Sequence, residues 1–111
     1  MAEPTSFTID VPEVQLTDLS DRLRRTRWAE DFANEGWRYG MPENYLRPLV
    51  EYWIERYDWR AHEAVMNEYD NYLVELDGIP IHFIHQPGKG KRTIPLILSH
   101  GWPMTLWDWE K

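Results

Sequence analysis

Apolar side chains recur at helical spacing through the front half of the chain and alternate with polar ones in the back half, the change falling near Asp70-Asn71. After an extended lead, Phe7-Thr8-Ile9-Asp10-Val11-Pro12, the positions Leu16, Leu19 and Leu23 share one face of an amphipathic helix running to Trp28. Thr17 is its expected N-cap. Residues 29–44 hold Gly36, Gly40, Pro42 and two Asn and read as a loop, in which Phe32, Trp37 and Tyr39 need cover. A second helix opens at Pro42, with Tyr45, Leu46, Leu49, Trp53 and Tyr57 at helical spacing and Pro48 early enough to be tolerated. Asp58 then caps a third helix through Trp59, His62, Glu63, Val65 and Met66.

Further on, Tyr72 to Leu76 and Ile79 to His85 flank Asp77-Gly78, the strongest short hairpin signal. A two-residue turn sets Leu76 against Ile79, Val74 against Ile81 and Tyr72 against Phe83, and these form the expected buried face. Pro80, lacking a donor, belongs near a strand start or at an edge. The polar loop from Gln86 to Thr93 leads into Ile94-Pro95-Leu96-Ile97-Leu98. That run does not alternate, which predicts a strand over 94–99 covered on both faces, as in a parallel sheet interior.

Composition narrows the function classes. At 111 residues the chain has room for one compact unit. Its 42% hydrophobic and 28% charged side chains describe a folded soluble chain. A net charge of −7 repels phosphate backbones and anionic lipid, so neither nucleic acid nor membrane is an expected partner. With no cysteine there is no disulfide, thiolate nucleophile or cysteine-ligated metal. The start carries no basic residue before an apolar stretch, and no apolar run approaches a membrane span; a cytoplasmic location is expected.

The candidate chemistry lies where the run 94–99 empties into His100-Gly101-Trp102-Pro103. The carboxyl end of a buried strand is where open α/β sheets present backbone N–H groups to a ligand. Gly101 permits close approach, and Pro103 fixes its own φ and aims the Trp102 amide, with a cis bond available to it. His100 reads as support for the turn through a hydrogen bond rather than as a base.

That turn belongs to a longer series: Val11-Pro12, Leu19 with Arg22-Leu23, Thr26-Arg27-Trp28, Trp37-Arg38-Tyr39-Gly40, Tyr45-Leu46 with Leu49, Tyr52-Trp53, Tyr57-Asp58-Trp59-Arg60, Glu63, Asn67, Asp77-Gly78, Ile81 to His85 and Pro95-Leu96. In this order and spacing the chain resembles the microsomal and juvenile-hormone type of epoxide hydrolases, within the α/β-hydrolase superfamily. It departs from the family at Glu30, where Pro is usual, and at Met104-Thr105, where Gly-Ser is commonest. The resemblance implies an α+β chain: an N-terminal helical meander over 1–70, then a truncated start of the hydrolase core over 71–111, with the hairpin at 72–85, the strand at 94–99 and the turn at 100–103. It implies an enzyme that opens an epoxide by attack of an Asp carboxylate while lid tyrosines polarise the ring oxygen. A His paired with an acid then hydrolyses the ester. The role it gives this chain is the backbone N–H of Trp102 as oxyanion donor, supported by His100, Gly101 and Pro103. The nucleophile, lid tyrosines and catalytic His lie downstream in the family, so the chain is expected to be inactive alone.

Other constellations read as structural. His82 and His85 point to opposite faces of a strand and cannot share a metal, and neither metal nor cofactor is expected. Glu51 with Glu55, and Asp108 with Glu110, read as solvated positions rather than paired carboxylates. Ser99 lies outside any Gly-X-Ser-X-Gly elbow. The aromatic side chains at helical spacing are expected in a core. Epoxide is a partner only in a longer parent, and self-association through an exposed aromatic face and strand edge is expected of the chain alone. Two alternatives stand beside this reading: a free-standing interaction module, and a piece of another α/β-hydrolase such as an esterase or dehalogenase.

Overall fold

The computed structural model describes residues 3–109. They form β1 (Thr5–Ser6), α1 (Glu13–Arg24), a 3-10 turn (Glu35–Trp37), α2 (Glu43–Glu55), α3 (Trp59–Met66), β2 (Asn71–Leu76), β3 (Ile79–Ile84) and a second 3-10 turn (Leu106–Trp109). Three helices precede an antiparallel hairpin. Two compact units are distinguished, Val11–Trp59 and the remainder, Met1–Asp10 with Arg60–Lys111.

In the helical unit, α1 starts at Glu13, three residues before Leu16: Pro12, not Thr17, occupies the N-cap position, and Thr17 lies inside the helix. Pro12 has its φ preset, and Glu13 sets a negative charge at the positive end of the helix dipole. The helix ends at Arg24 rather than Trp28, because the Thr26 hydroxyl donates to the Leu23 carbonyl at 2.8 Å and occupies an end group that another turn would have used. Pro42 is likewise the N-cap of α2 and offers no side-chain cap. Asp31 substitutes from the preceding loop, its Oδ2 accepting the Glu43 N–H at 2.7 Å. Arg47 pairs with Glu43 and stands 4.6 Å over the Trp28 ring. Asn34 closes the loop itself, donating to the Gly40 carbonyl at 3.2 Å and accepting the Tyr39 N–H at 2.9 Å. The Trp37 and Tyr45 rings lie tilted to each other with centroids 5.0 Å apart, but Phe32, Trp37 and Tyr39 all remain exposed, so the cover expected for them is not supplied by the described residues.

In the second unit the hairpin has the expected register, Leu76 with Ile79, Val74 with Ile81 and Tyr72 with Phe83. Asp77 and Gly78 have φ of 51° and 80°, the pair of positive values a type I′ turn requires. Pro80 sits second in β3, which is an edge strand. The third strand is β1, which pairs Thr5 with Leu73 and Ser6 with Tyr72. The strand expected over 94–99 does not form. A strand exists by pairing, and these residues meet no neighbour among those described; Ile97 is 91% exposed.

The expected buried face is only half covered, since Tyr72, Val74 and Phe83 are half-buried while Leu76, Ile79 and Ile81 at the tip are exposed. Burial lies at the other end of the hairpin and is polar. Asn71, 4% exposed, donates through Nδ2 to the Met66 and Tyr69 carbonyls at 2.9 and 2.8 Å. Its Oδ1 therefore faces His82 Nε2, 2.9 Å away, which must carry the proton. Phe7 meets the same imidazole edge to face at 5.0 Å. No apolar side chain among the described residues is fully buried, so the aromatic core expected from the helical spacing is absent here.

Candidate functional site

The segment from Ser99 to Trp109 is built from local hydrogen bonds. The Met104 N–H donates to the Gly101 carbonyl at 2.8 Å and closes a four-residue turn, with Trp102-Pro103 cis at its centre, as the sequence had allowed. Thr105 and Asp108 then form a reciprocal cap of the 3-10 turn. The Thr105 N–H donates to Asp108 Oδ2 at 2.7 Å, the Trp107 N–H donates to Thr105 Oγ1 at 3.2 Å, and the Asp108 N–H reaches the Thr105 carbonyl at 3.1 Å. Trp107 meets the Tyr69 ring edge to face at 6.0 Å, which ties this end back to the residues following α3.

Within that frame the Trp102 side chain is 97% exposed, and its backbone N–H meets no protein acceptor among the described residues. Gly101 leaves open space where a Cβ would stand. His100 is exposed and its ring makes no hydrogen bond among the described residues; the Ser99 hydroxyl donates to the His100 carbonyl at 3.5 Å, a weak contact. The arrangement has one chemical capability: an amide donor, held by a closed turn, open to a ligand oxygen.

The remaining candidates are dispersed. Asp108 spends its carboxylate on the Thr105 cap, and Glu110 lies outside the described residues. Glu51 and Glu55 are exposed on α2. His82 is engaged by Asn71, and desolvation holds its pKa below the usual 6.5. His85 follows the end of β3, and among the described residues no three metal-ligating side chains converge. No helix among them is long and apolar enough to cross a membrane. The Thr105-x-x-Asp108 spacing is a capping signature that the sequence carries openly. The polar anchors Asn67 and Asn71 have no such local signal.

Residues 4–109 match the model of the epoxide hydrolase N terminus. The chain is 47% identical over 96% of its length to a putative epoxide hydrolase of Stigmatella aurantiaca, and 30% identical over 95% to epoxide hydrolase 1 of Oryctolagus cuniculus. It spans 24% of the length of each. Among solved structures, Aspergillus niger epoxide hydrolase superposes on 91% of the chain with a TM-score of 0.81 at 30% identity, the chain covering 27% of it. The juvenile hormone epoxide hydrolase of Bombyx mori superposes on 93% with a TM-score of 0.81 at 27% identity, the chain covering 25% of it. With nearly every residue inside the family match, this chain belongs to the epoxide hydrolase N-terminal family.

Proposed function

We propose that these residues serve the hydrolysis of epoxides to diols, as the N-terminal part of an enzyme whose nucleophile lies elsewhere. The observation that carries this reading is the Trp102 amide, free of any acceptor among the described residues, beside the open backbone of Gly101. In the proposed reaction an Asp carboxylate from outside these residues attacks an epoxide carbon. The C–O bond of the ring breaks, its oxygen takes a proton from tyrosine, and an alkyl ester forms. Water, deprotonated by a His paired with an acid, then adds to the ester carbonyl, and the adduct collapses with cleavage of its bond to the alkyl oxygen, which takes the proton from that His and leaves as the diol while the Asp carboxylate is restored. The Trp102 N–H donates to the oxyanion that develops there, an interaction stronger in the transition state than in the ester. Gly101 and Pro103 shape the turn, and the exposed His100 precedes it. None of these groups opens the ring, so the 111 residues alone form no diol.

The test is a chimera in which residues 4–109 replace the matching quarter of the Stigmatella aurantiaca protein. The chimera is expected to form diol from styrene oxide, and the isolated chain none above buffer. A folded chimera that neither opens the epoxide nor accumulates ester, beside an active parent, would refute the reading.

A further inference from the structure

The amide that the proposed reaction uses belongs to the peptide unit joining Gly101 to Trp102, and that unit is held from its other side. Its carbonyl, on Gly101, accepts the Met104 N–H at 2.8 Å. The unit is trans, so its C=O and N–H point in opposite directions, and a bond that fixes the carbonyl also fixes where the Trp102 N–H aims. A carbonyl that accepts a hydrogen bond also polarises its unit, which makes the N–H a stronger donor. The Met104 N–H therefore both directs and strengthens the candidate oxyanion donor.

Met104 is held in turn. The peptide unit that joins it to Thr105 donates the Thr105 N–H to Asp108 Oδ2 at 2.7 Å, and the Thr105 hydroxyl donates to the same oxygen at 3.3 Å. That hydroxyl accepts the Trp107 N–H at 3.2 Å, and the Asp108 N–H returns to the Thr105 carbonyl at 3.1 Å. Each of these bonds is local in sequence, so none depends on what packs around the segment in a longer chain. The far end is fixed to the sheet: the Trp107 ring meets that of Tyr69, whose carbonyl accepts from the buried Asn71 side chain at 2.8 Å. A continuous series thus runs from the start of β2 to the Trp102 amide. The Asp108 carboxylate is the link in it whose removal leaves residues 100–105 unaltered.

The sign of its charge shows how Asp108 can act. A carboxylate in the neighbourhood of an oxyanion opposes the negative charge that develops there, so a benefit from Asp108 comes through its hydrogen bonds and not through its charge. A neutral acceptor then serves as well. Asn supplies one, for its side-chain oxygen has two lone pairs and can take both the Thr105 N–H and the Thr105 hydroxyl.

We infer that Asp108 is a positioning residue for ester hydrolysis: through Thr105 and Met104 it holds the Gly101–Trp102 peptide with its N–H aimed at the developing oxyanion. The inference rests on the epoxide hydrolase reading. Its test is single-turnover reaction of styrene oxide with the chimera carrying residues 4–109, ester formation and ester hydrolysis being followed separately. Asp108→Ala is expected to form ester at the chimera's rate and to hydrolyse it roughly tenfold more slowly, short of the about 10²–10³-fold loss on removing a donor outright. Asp108→Asn is expected to hydrolyse the ester at the chimera's rate. A merely structural role would slow both steps, since the groups that open the ring would be displaced as well. Thr105→Val, which keeps the amide and loses the hydroxyl, is also expected to slow hydrolysis and spare ester formation, and it decides alone where the alanine variant does not fold. Asp108→Ala that hydrolyses ester at the chimera's rate, or slows both steps alike, would overturn the inference. So would Asp108→Asn as slow as Asp108→Ala, which would make the charge the active property. An unsubstituted chimera that forms no ester refutes the epoxide hydrolase reading, and this inference with it; an active chimera indifferent to Asp108→Ala refutes the positioning alone.

Discussion

The side chain of Asn67 pairs with the backbone of Ile9 as a neighbouring strand residue would: its Oδ1 accepts the Ile9 N–H at 2.9 Å and its Nδ2 donates to the Ile9 carbonyl at 2.8 Å. The clamp continues the β1–β2 pairing by one residue that has no strand beside it. Asn67→Ala leaves both Ile9 groups without partners in a half-buried place, which costs about 1–3 kcal/mol. Asn67→Asp keeps the acceptor and loses the donor, so its loss is smaller. Urea unfolding gives the order, and faster exchange of the Phe7 and Ile9 amides in Asn67→Ala locates the effect in the lead segment.

Gly78 carries a φ of 80°, and a Cβ built there meets nothing within 4 Å. Substitution is therefore costly through backbone conformation alone. Gly78→Val is expected to lose roughly 1–2 kcal/mol, the cost of a left-handed conformation for a residue with a side chain. Gly78→Asn loses less, since Asn tolerates that region. A Val variant as stable as the parent in thermal unfolding would contradict the I′ turn.

This turn also marks how far the sequence is legible. Asp77-Gly78 with alternating flanks determines a register because every element of the signal is local. The run Ile94 to Leu98 is as apolar as a buried strand, yet apolar character is only permission to be buried, and pairing needs a second strand. Thr5–Ser6 shows the converse, for it is a strand only because β2 lies beside it. Thr17 has the side chain of an N-cap but lies inside the helix, because Pro12 and Glu13 start it earlier. At the candidate site the Trp102 amide was legible from His100-Gly101-Trp102-Pro103. Asn67 is not legible as an anchor, because its partner Ile9 comes from a distant segment, whereas Asn71 bonds the nearby Met66 and Tyr69 carbonyls and only its contact with His82 depends on the hairpin.

His82 titrates against the fold. Burial holds its pKa below 6.5, so the folded chain takes up that proton at lower pH than the unfolded chain. As pH falls below 6.5, the unfolded state binds more protons and stability declines, until the folded His82 also titrates. Above 6.5 the contribution is fully present. His82→Gln keeps a donor for Asn71 Oδ1 and removes the proton site. Its stability is expected to be flatter than the parent's between neutral pH and about pH 5, above the range where carboxylates titrate. Equal slopes in urea unfolding over that window would assign the dependence to other groups.

Ile97 tests the exposure of 94–98 directly. A buried Ile replaced by a small residue costs about 2–5 kcal/mol, but at 91% exposure there is little to lose. Ile97→Ser is expected to leave the unfolding midpoint of the 111-residue chain unchanged and to reduce its binding of a dye that reports apolar surface. A large loss of stability would mean that this run is covered in solution.

Trp102 separates side chain from backbone. Its indole is 97% exposed, so Trp102→Ala in this chain is expected to change stability by no more than about 0.5 kcal/mol. In the chimera the same substitution keeps the backbone N–H, and with it the proposed contact to the oxyanion. Single-turnover measurement of ester formation and ester hydrolysis distinguishes the two contributions. If the amide is the donor, Trp102→Ala retains ester hydrolysis, and any loss appears in substrate binding or in packing against residues outside this chain. A variant that forms ester at the parental rate but fails to hydrolyse it, while folded, would show that the indole itself serves that step and that the backbone alone does not.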